Sequence, residues 1–193
     1  NLTTRAKLFL GFGLMIVFLA AVIVTAYRGI TAIQESQKSL YEEEFAIAVD
    51  IKDVRSSQNV IRAALLDMML VSRRSDQEAW HQEIKNRVQK IDNLMRRLVE
   101  RSRSNPQFLR QLEELNATQN AFQQTRDTQM IPLIYEGKIE EAKKVTLGIQ
   151  LDRNNKMRTI ADELVGTAEE RARTAVTQSE QRTEESARIF VAV

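Results

Sequence analysis

Arg62 flanks, and Arg126 interrupts, helical seams whose other inward positions are mostly apolar. A guanidinium withdrawn from water without a partner costs several kcal/mol, so each needs an acid, solvent or a ligand. Arginine presents a planar fork of donors that pairs bidentately with a carboxylate, and the chemistry on offer is recognition of a small organic anion. Gln58, Asn59, Thr146 and Gln150 supply neutral hydrogen-bonding groups to the same set. Arg55, two turns below Arg62 on the same face, is a lower-placed member. Asp67, Asp127 and Asp152 offer an alternative: an arginine near one of them can pair with it, or reach solvent along its aliphatic stem.

Other chemistry has no visible home. His81, the only histidine, stands without a cysteine or a helix-spaced acid pair that would suggest a metal site. Met68, Met69 and Met157 read as core gap-fillers. No nucleophile-elbow glycine pattern, phosphate-cradling loop or convergent Ser/His/Asp set occurs, so neither catalysis nor a cofactor is expected. Acids and bases are interleaved, as in "EIKNRVQK", and the formal charge is only +2, which argues against a nucleic-acid face. The absence of cysteine excludes disulfides and thiolate chemistry.

Long helices must position these residues. Six glycines and two prolines among 193 residues leave few turns. Breaks are expected at "SRRSDQEAW", where Ser75 or Asp76 can cap a helix, at "RSNPQF", with Asn105 as cap and Pro106 at the first helical position, and at Gly137, just past a helix end that Pro132 bends. The helices predicted are about 28 to 73, 76 to 103, 106 to 135, and 138 onward. Short loops make sequential helices antiparallel, so the fold class is all-α, an up-down-up-down four-helix bundle. Its seams read Ile47, Ile51, Val54, Gln58, Ile61, Leu65, Met68, Ser72; Trp80, Ile84, Val88, Ile91, Met95, Leu98; Phe108, Leu112, Leu115, Gln119, Phe122, Arg126, Gln129, Leu133; and Ile139, Ala142, Thr146, Ile149, Arg153, Met157, Ile160, Leu164. With ~1.5 Å of rise per residue, counted down from the distal loops, Gln58, Arg62, Arg126 and the stretch Thr146 to Gln150 fall in one layer roughly 15 Å below the tip.

"LFLGFGLMIVFLAAVIVTAY", residues 8 to 27, carries no charge and has the ~20 residues that cross a bilayer as a helix. Arg5, Lys7 and the "VTA" at 24 to 26 also suit a cleaved signal peptide, but the apolar run exceeds an h-region and helical sequence continues through the cut. Basic residues near the N-terminal side weakly favour a cytoplasmic N-terminus. Ala21, Thr25 and Gly29 form a small-xxx-small stripe suited to a dimer contact. The terminal "ARIFVAV" reads as the first turns of a second span. The organisation expected is a tail at 1–7, a transmembrane helix at 8–27, a ligand-binding bundle at 28–188, and the start of transmembrane helix 2 at 189–193.

"SLYEEEFAIAVDI", "VIRAALLDM" and "MIPLIYEGKIEEAKKV" carry a resemblance to the N-terminal sensor region of bacterial methyl-accepting chemotaxis proteins of the four-helix-bundle type. The resemblance covers the whole chain. It implies a periplasmic domain on the bacterial inner membrane, a homodimer through the first helices, and a small ligand bound near the distal end. Ligand binding would shift the fourth helix and act on downstream signalling proteins. In the aspartate-type receptors arginines on helix one and a threonine early in helix four hold the ligand; Arg62 and Thr146 match such positions. Asp53 and Gln58 stand near the other expected arginines, which points away from an amino-acid ligand, while Arg126 points to a site inside the monomer. The same domain type heads histidine kinases and diguanylate cyclases, and a ligand-free membrane-anchored structural bundle is the rival from a different class.

Overall fold

Apolar residues alternating at spacings of three and four set the architecture, since a 3.5-residue repeat keeps one stripe of a helix facing its partners. The computed structural model describes residues 3–39 and 44–192, leaving outside the description the side chains at 7, 34, 36–39, 179 and 182–192. The described residues are helical almost throughout: α1 (Thr4–Ser39), α2 (Ala46–Leu70), α3 (Arg74–Arg101), α4 (Pro106–Thr125), a π turn (Arg126–Met130), α5 (Ile131–Tyr135), α6 (Ile139–Leu147) and α7 (Ile149–Ala192). They divide into two compact units, Glu43–Glu170 and Asn1–Glu42 with Arg171–Val193.

The unit Glu43–Glu170 is the four-helix bundle, with legs α2, α3, α4–α5 and α6–α7. Ile47, Ile51, Val54, Ile61, Leu65 and Met68 of α2 are buried against Ile84, Ile91, Met95 and Leu98 of α3, and Phe108, Leu112, Leu115 and Phe122 of α4 close the core with Met157, Ile160 and Leu164 of α7. Burying each such side chain contributes about 1.5 to 3 kcal/mol. Ion pairs accompany the antiparallel registers that the apolar seams set. Asp50 accepts from Arg97 at 2.9 Å and Arg101 at 3.0 Å, and Lys90 meets Asp53 at 3.1 Å across α2 and α3. Lys52 meets Glu169 at 2.9 Å across α2 and α7, and Lys156 meets Glu114 at 2.8 Å across α4 and α7.

The turns follow local chemistry. Asn105 caps α4 by accepting from the Phe108 amide at 3.1 Å, with Pro106 in the first turn. Gly137 has φ 73°, and the amides of Gly137 and Lys138 return to the carbonyls of Ile134 and Leu133, a Schellman ending that only glycine enters without strain. The expected caps Ser75 and Asp76 are not used: α3 starts at Arg74 after an extended Arg73, and Asp76 in the first turn pairs with Arg73. Gln77, buried, instead donates to the Val71 carbonyl at 3.2 Å, satisfying a chain end that would otherwise be orphaned.

Several seam positions differ from expectation. Trp80 is 37% exposed, Ser72 and Gln129 face out, and Ile149 is 51% exposed. The fourth leg is not continuous: Gly148 leaves helical geometry at ψ −118°, separating α6 from α7 and rotating Ile149 off the stripe. The third leg widens into a π turn just before Pro132, whose ring would collide with the carbonyl four residues back in a regular helix.

In the other unit, α1 contains Thr4–Ile33, long and apolar enough to cross a membrane, with Phe9, Leu14 and Met15 exposed along it. Thr25 donates to the Ala21 carbonyl at 2.8 Å within the small-residue stripe. Of "SLYEEEFAIAVDI", residues 40 to 43 lie outside the described residues, as does Val193 of the expected second span.

Candidate functional site

Between α2, α4 and α7 the bundle encloses a cavity of about 180 Å³. On α2 it is lined by Val54, Arg55, Gln58, Asn59 and Arg62; α4 contributes Leu115 and Gln119, and α7 contributes Asn154, Met157, Arg158 and Ala161. The seam spacing explains the composition: Gln58 and Gln119 occupy inward heptad positions where Leu would otherwise close the core, and Asn154 does the same on α7. All three are buried, at 6%, 2% and 8% exposure.

The inner amides are unsatisfied. Among the described residues Gln58 Nε2 and both amide ends of Gln119 have no hydrogen-bond partner. A buried amide left unpaired costs roughly 1 to 3 kcal/mol, so a well-packed protein retains one where something else completes it. At the rim stand the guanidinium groups of Arg55, Arg62 and Arg158. Arg55 is ion-paired with Asp162 of α7, whereas among the described residues neither Arg62 nor Arg158 has an ion-pair partner. The cavity thus combines neutral donors and acceptors inside with uncompensated positive charge at its mouth.

Of the residues the sequence singled out, this cavity gathers Arg55, Gln58, Asn59 and Arg62. Arg126, Thr146 and Gln150 are elsewhere, and each is engaged. Arg126, 3% exposed, is held bidentately by Asp127 at 2.7 and 2.8 Å, with Nη1 unpaired. Gln150 donates to the Phe122 carbonyl at 3.0 Å and accepts from Arg153 at 3.2 Å; Arg153 also donates to the Ala121 carbonyl at 2.9 Å and to Thr125 Oγ1. Thr146 returns its hydroxyl proton to the Ala142 carbonyl at 2.8 Å. The single layer inferred from a uniform rise is therefore two layers. Gln119, about two turns before Arg126 on α4, is the residue that lines the cavity with Gln58. Arg55 meets Asp162 on α7.

Gln119, Asn154 and Arg158 are the polar lining residues that the sequence did not single out as site members. Gln119 already interrupted its seam, and that polar break beside Gln58 was the available signal. Above the cavity, His81 Nδ1 lies 2.8 Å from the Tyr135 hydroxyl, and the Arg74 guanidinium covers the Tyr135 ring at 3.5 Å. Burial lowers the His81 pKa below 6.5, with Lys85 acting in the same direction and Asp127 opposing. Among the described residues no three His, Cys, Asp or Glu side chains gather as a metal site would require.

The chain matches the family described as four helix bundle sensory module for signal transduction over residues 1–183. No curated protein and no solved structure matches it.

Proposed function

The chain belongs to the four-helix-bundle sensory modules for signal transduction, and on that premise we propose that it is the sensory part of a transmembrane chemoreceptor that binds a small organic anion. The observation that carries this reading is the α2–α4–α7 cavity, where, among the described residues, the Gln58 and Gln119 amides are orphaned behind an Arg62 and an Arg158 that have no ion-pair partner. Its volume lies below the ~300 to 1,000 Å³ of sites for drug-sized ligands, which favours an acid of a few carbons. A carboxylate seated between Arg62 and Arg158 would accept from both forks, while its remaining polar groups meet the two glutamines. The site on this reading lies within one subunit's bundle, and Asn59 and Arg55 complete its α2 wall. Arg126, Thr146 and Gln150 support the wall from above and do not touch the ligand.

Anchored by α1, the bundle stands in the periplasm on the bacterial inner membrane, and anion binding displaces α7 as the signal. Two observations support a homodimer through the first helices: the Ala21, Thr25, Gly29 stripe, and the outward face of α2, where Phe45, Val49, Leu66 and Leu70 remain exposed.

The test is a melting screen of the full chain in nanodiscs against dicarboxylates, tricarboxylates and aromatic acids. A binder at one hundred times its Kd should stabilise the protein by about 2.7 kcal/mol. Arg62→Ala should weaken that acid by roughly ten-fold or more, because a charge-assisted hydrogen bond is lost. If no acid shifts the melting and Arg62→Ala with Arg158→Ala raises stability, the site is a solvated seam and the proposal fails.

A further inference from the structure

Arg55 differs from the other two cavity arginines in having its partner already supplied by the chain. Its Nη1 holds Oδ1 of Asp162, and both side chains are half-exposed, at 44% and 52%. Asp162 stands one turn beyond Arg158 on α7, so the carboxylate lies at the edge of the cavity without lining it. Along the same α2–α7 seam Lys52 and Glu169 make a second ion pair, farther from the cavity. The seam is therefore joined by opposite charges on one side of the cavity. Across the cavity itself, Arg62 on α2 and Arg158 on α7 face the opening with no acid between them.

Resting on the reading of the cavity as an anion site, we propose that Asp162 is a built-in competitor for the ligand carboxylate, and that exchange of Arg55 from Asp162 to the ligand is what couples occupancy to α7. A half-exposed ion pair is weak and water can replace either partner, so the exchange has little to overcome. A ligand held by Arg62 and Arg158 places a second carboxylate within reach of Arg55, and two carboxylates sharing one guanidinium repel each other. Asp162 then lets go, and α7 loses an ion pair to α2. The ligand's effect on α7 thus comes from a differential contact, made in one state and absent in the other.

The chain has no cysteine, so Ser56→Cys on α2 and Thr159→Cys on α7, both at exposed positions, give one spin-label pair per chain. Full-length protein in nanodiscs, diluted with unlabelled chain, is measured by pulsed electron spin resonance with and without succinate, and succinate binding is followed by calorimetry. Asp162→Asn should tighten succinate by about five-fold or more. With no succinate present, it should also shift the α2–α7 distance by about 1–2 Å, in the sense that saturating succinate produces in the parent. Glu163→Gln, which removes the same charge one residue away from a side chain facing Gln111, should do neither. An unchanged distance in ligand-free Asp162→Asn overturns the proposal whether or not succinate binds. Equal tightening by Glu163→Gln also overturns it, since general electrostatics would then suffice. Succinate that binds the parent and is lost in Arg62→Ala, yet is indifferent to Asp162→Asn, sinks the exchange and leaves the cavity reading standing. Failure of every acid to bind parent and variants alike sinks the cavity reading itself.

Discussion

Two adjoining polar layers cross this bundle, and they differ in how far their groups are satisfied. In the distal layer Arg153 donates to three acceptors, Gln150 uses both ends of its amide, and Arg126 is gripped by Asp127. Single donors, Arg126 Nη1 and Gln123 Nε2, remain over. In the cavity layer, among the described residues, Gln119 uses neither end, Gln58 leaves its nitrogen unpaired, and Arg62 and Arg158 lack acids. Polar residues at seam positions therefore do two jobs here. The distal set ties α4 to α7 beside the π turn and the Gly148 break, where regular helix packing is interrupted. The cavity set holds unfilled hydrogen-bonding capacity open.

The difference is sharpest when each layer is truncated. Arg153→Ala should lower stability by about 1 to 3 kcal/mol, because it leaves the Gln150 oxygen without its donor and unties α7 from Thr125 and the Ala121 carbonyl of α4 at a part-buried position. Denaturant titration followed by circular dichroism measures it. A loss under about 0.5 kcal/mol would mean that water replaces Arg153 freely and that the distal layer is no clamp.

The cavity layer should respond with the opposite sign. Gln119→Leu exchanges an amide with no partners for an apolar side chain of similar size, and should raise stability by about 1 kcal/mol. The same substitution should remove binding of whichever acid the screen identifies. Gln150→Leu, at a satisfied position, should instead destabilise. If both variants move stability in the same direction, the contrast between a structural layer and a functional one is lost.

The sequence anticipates the fold closely because heptad spacing, Asn105 with Pro106, and Gly137 each act through local physics. The buried α2 stripe from Ile47 to Met68 follows the spacing residue by residue. The site was harder. Gln58, Asn59, Arg62 and Arg55 share one helix, so their grouping needs only helical periodicity, and the structure keeps them together. Their partners on α4 and α7 depend on the relative heights of three helices, and a single turn of error exchanges Gln119 for a residue above it. The π turn at Arg126–Met130 and the break at Gly148 add to that uncertainty in height, and neither follows from residue spacing alone. The pairing of Arg126 with adjacent Asp127 was readable, since Asp127 was already named as its possible acid.

The two layers should also separate by pH, with a smaller effect. Guanidinium and amide groups line the cavity, with no histidine or carboxylate among its lining residues. His81 lies in the distal half against Tyr135, and Arg74, Lys85, Arg126, Asp127 and Glu78 surround the pair. Burial, then Lys85, lowers the His81 pKa from 6.5, so the folded protein binds fewer protons than the unfolded chain as pH falls. Stability from this group is fully present above the unfolded value and is lost as pH drops through 6.5 toward the lower folded value. Melting should therefore fall between about pH 7.5 and about pH 5.5 by more in the parent than in His81→Gln, which retains a hydrogen-bonding side chain for Tyr135 without the titration. Acid affinity measured over the same range should run parallel in the two proteins, because the histidine belongs to the distal layer. A pH-dependent Kd that disappears in His81→Gln would instead join the two layers into one coupled site.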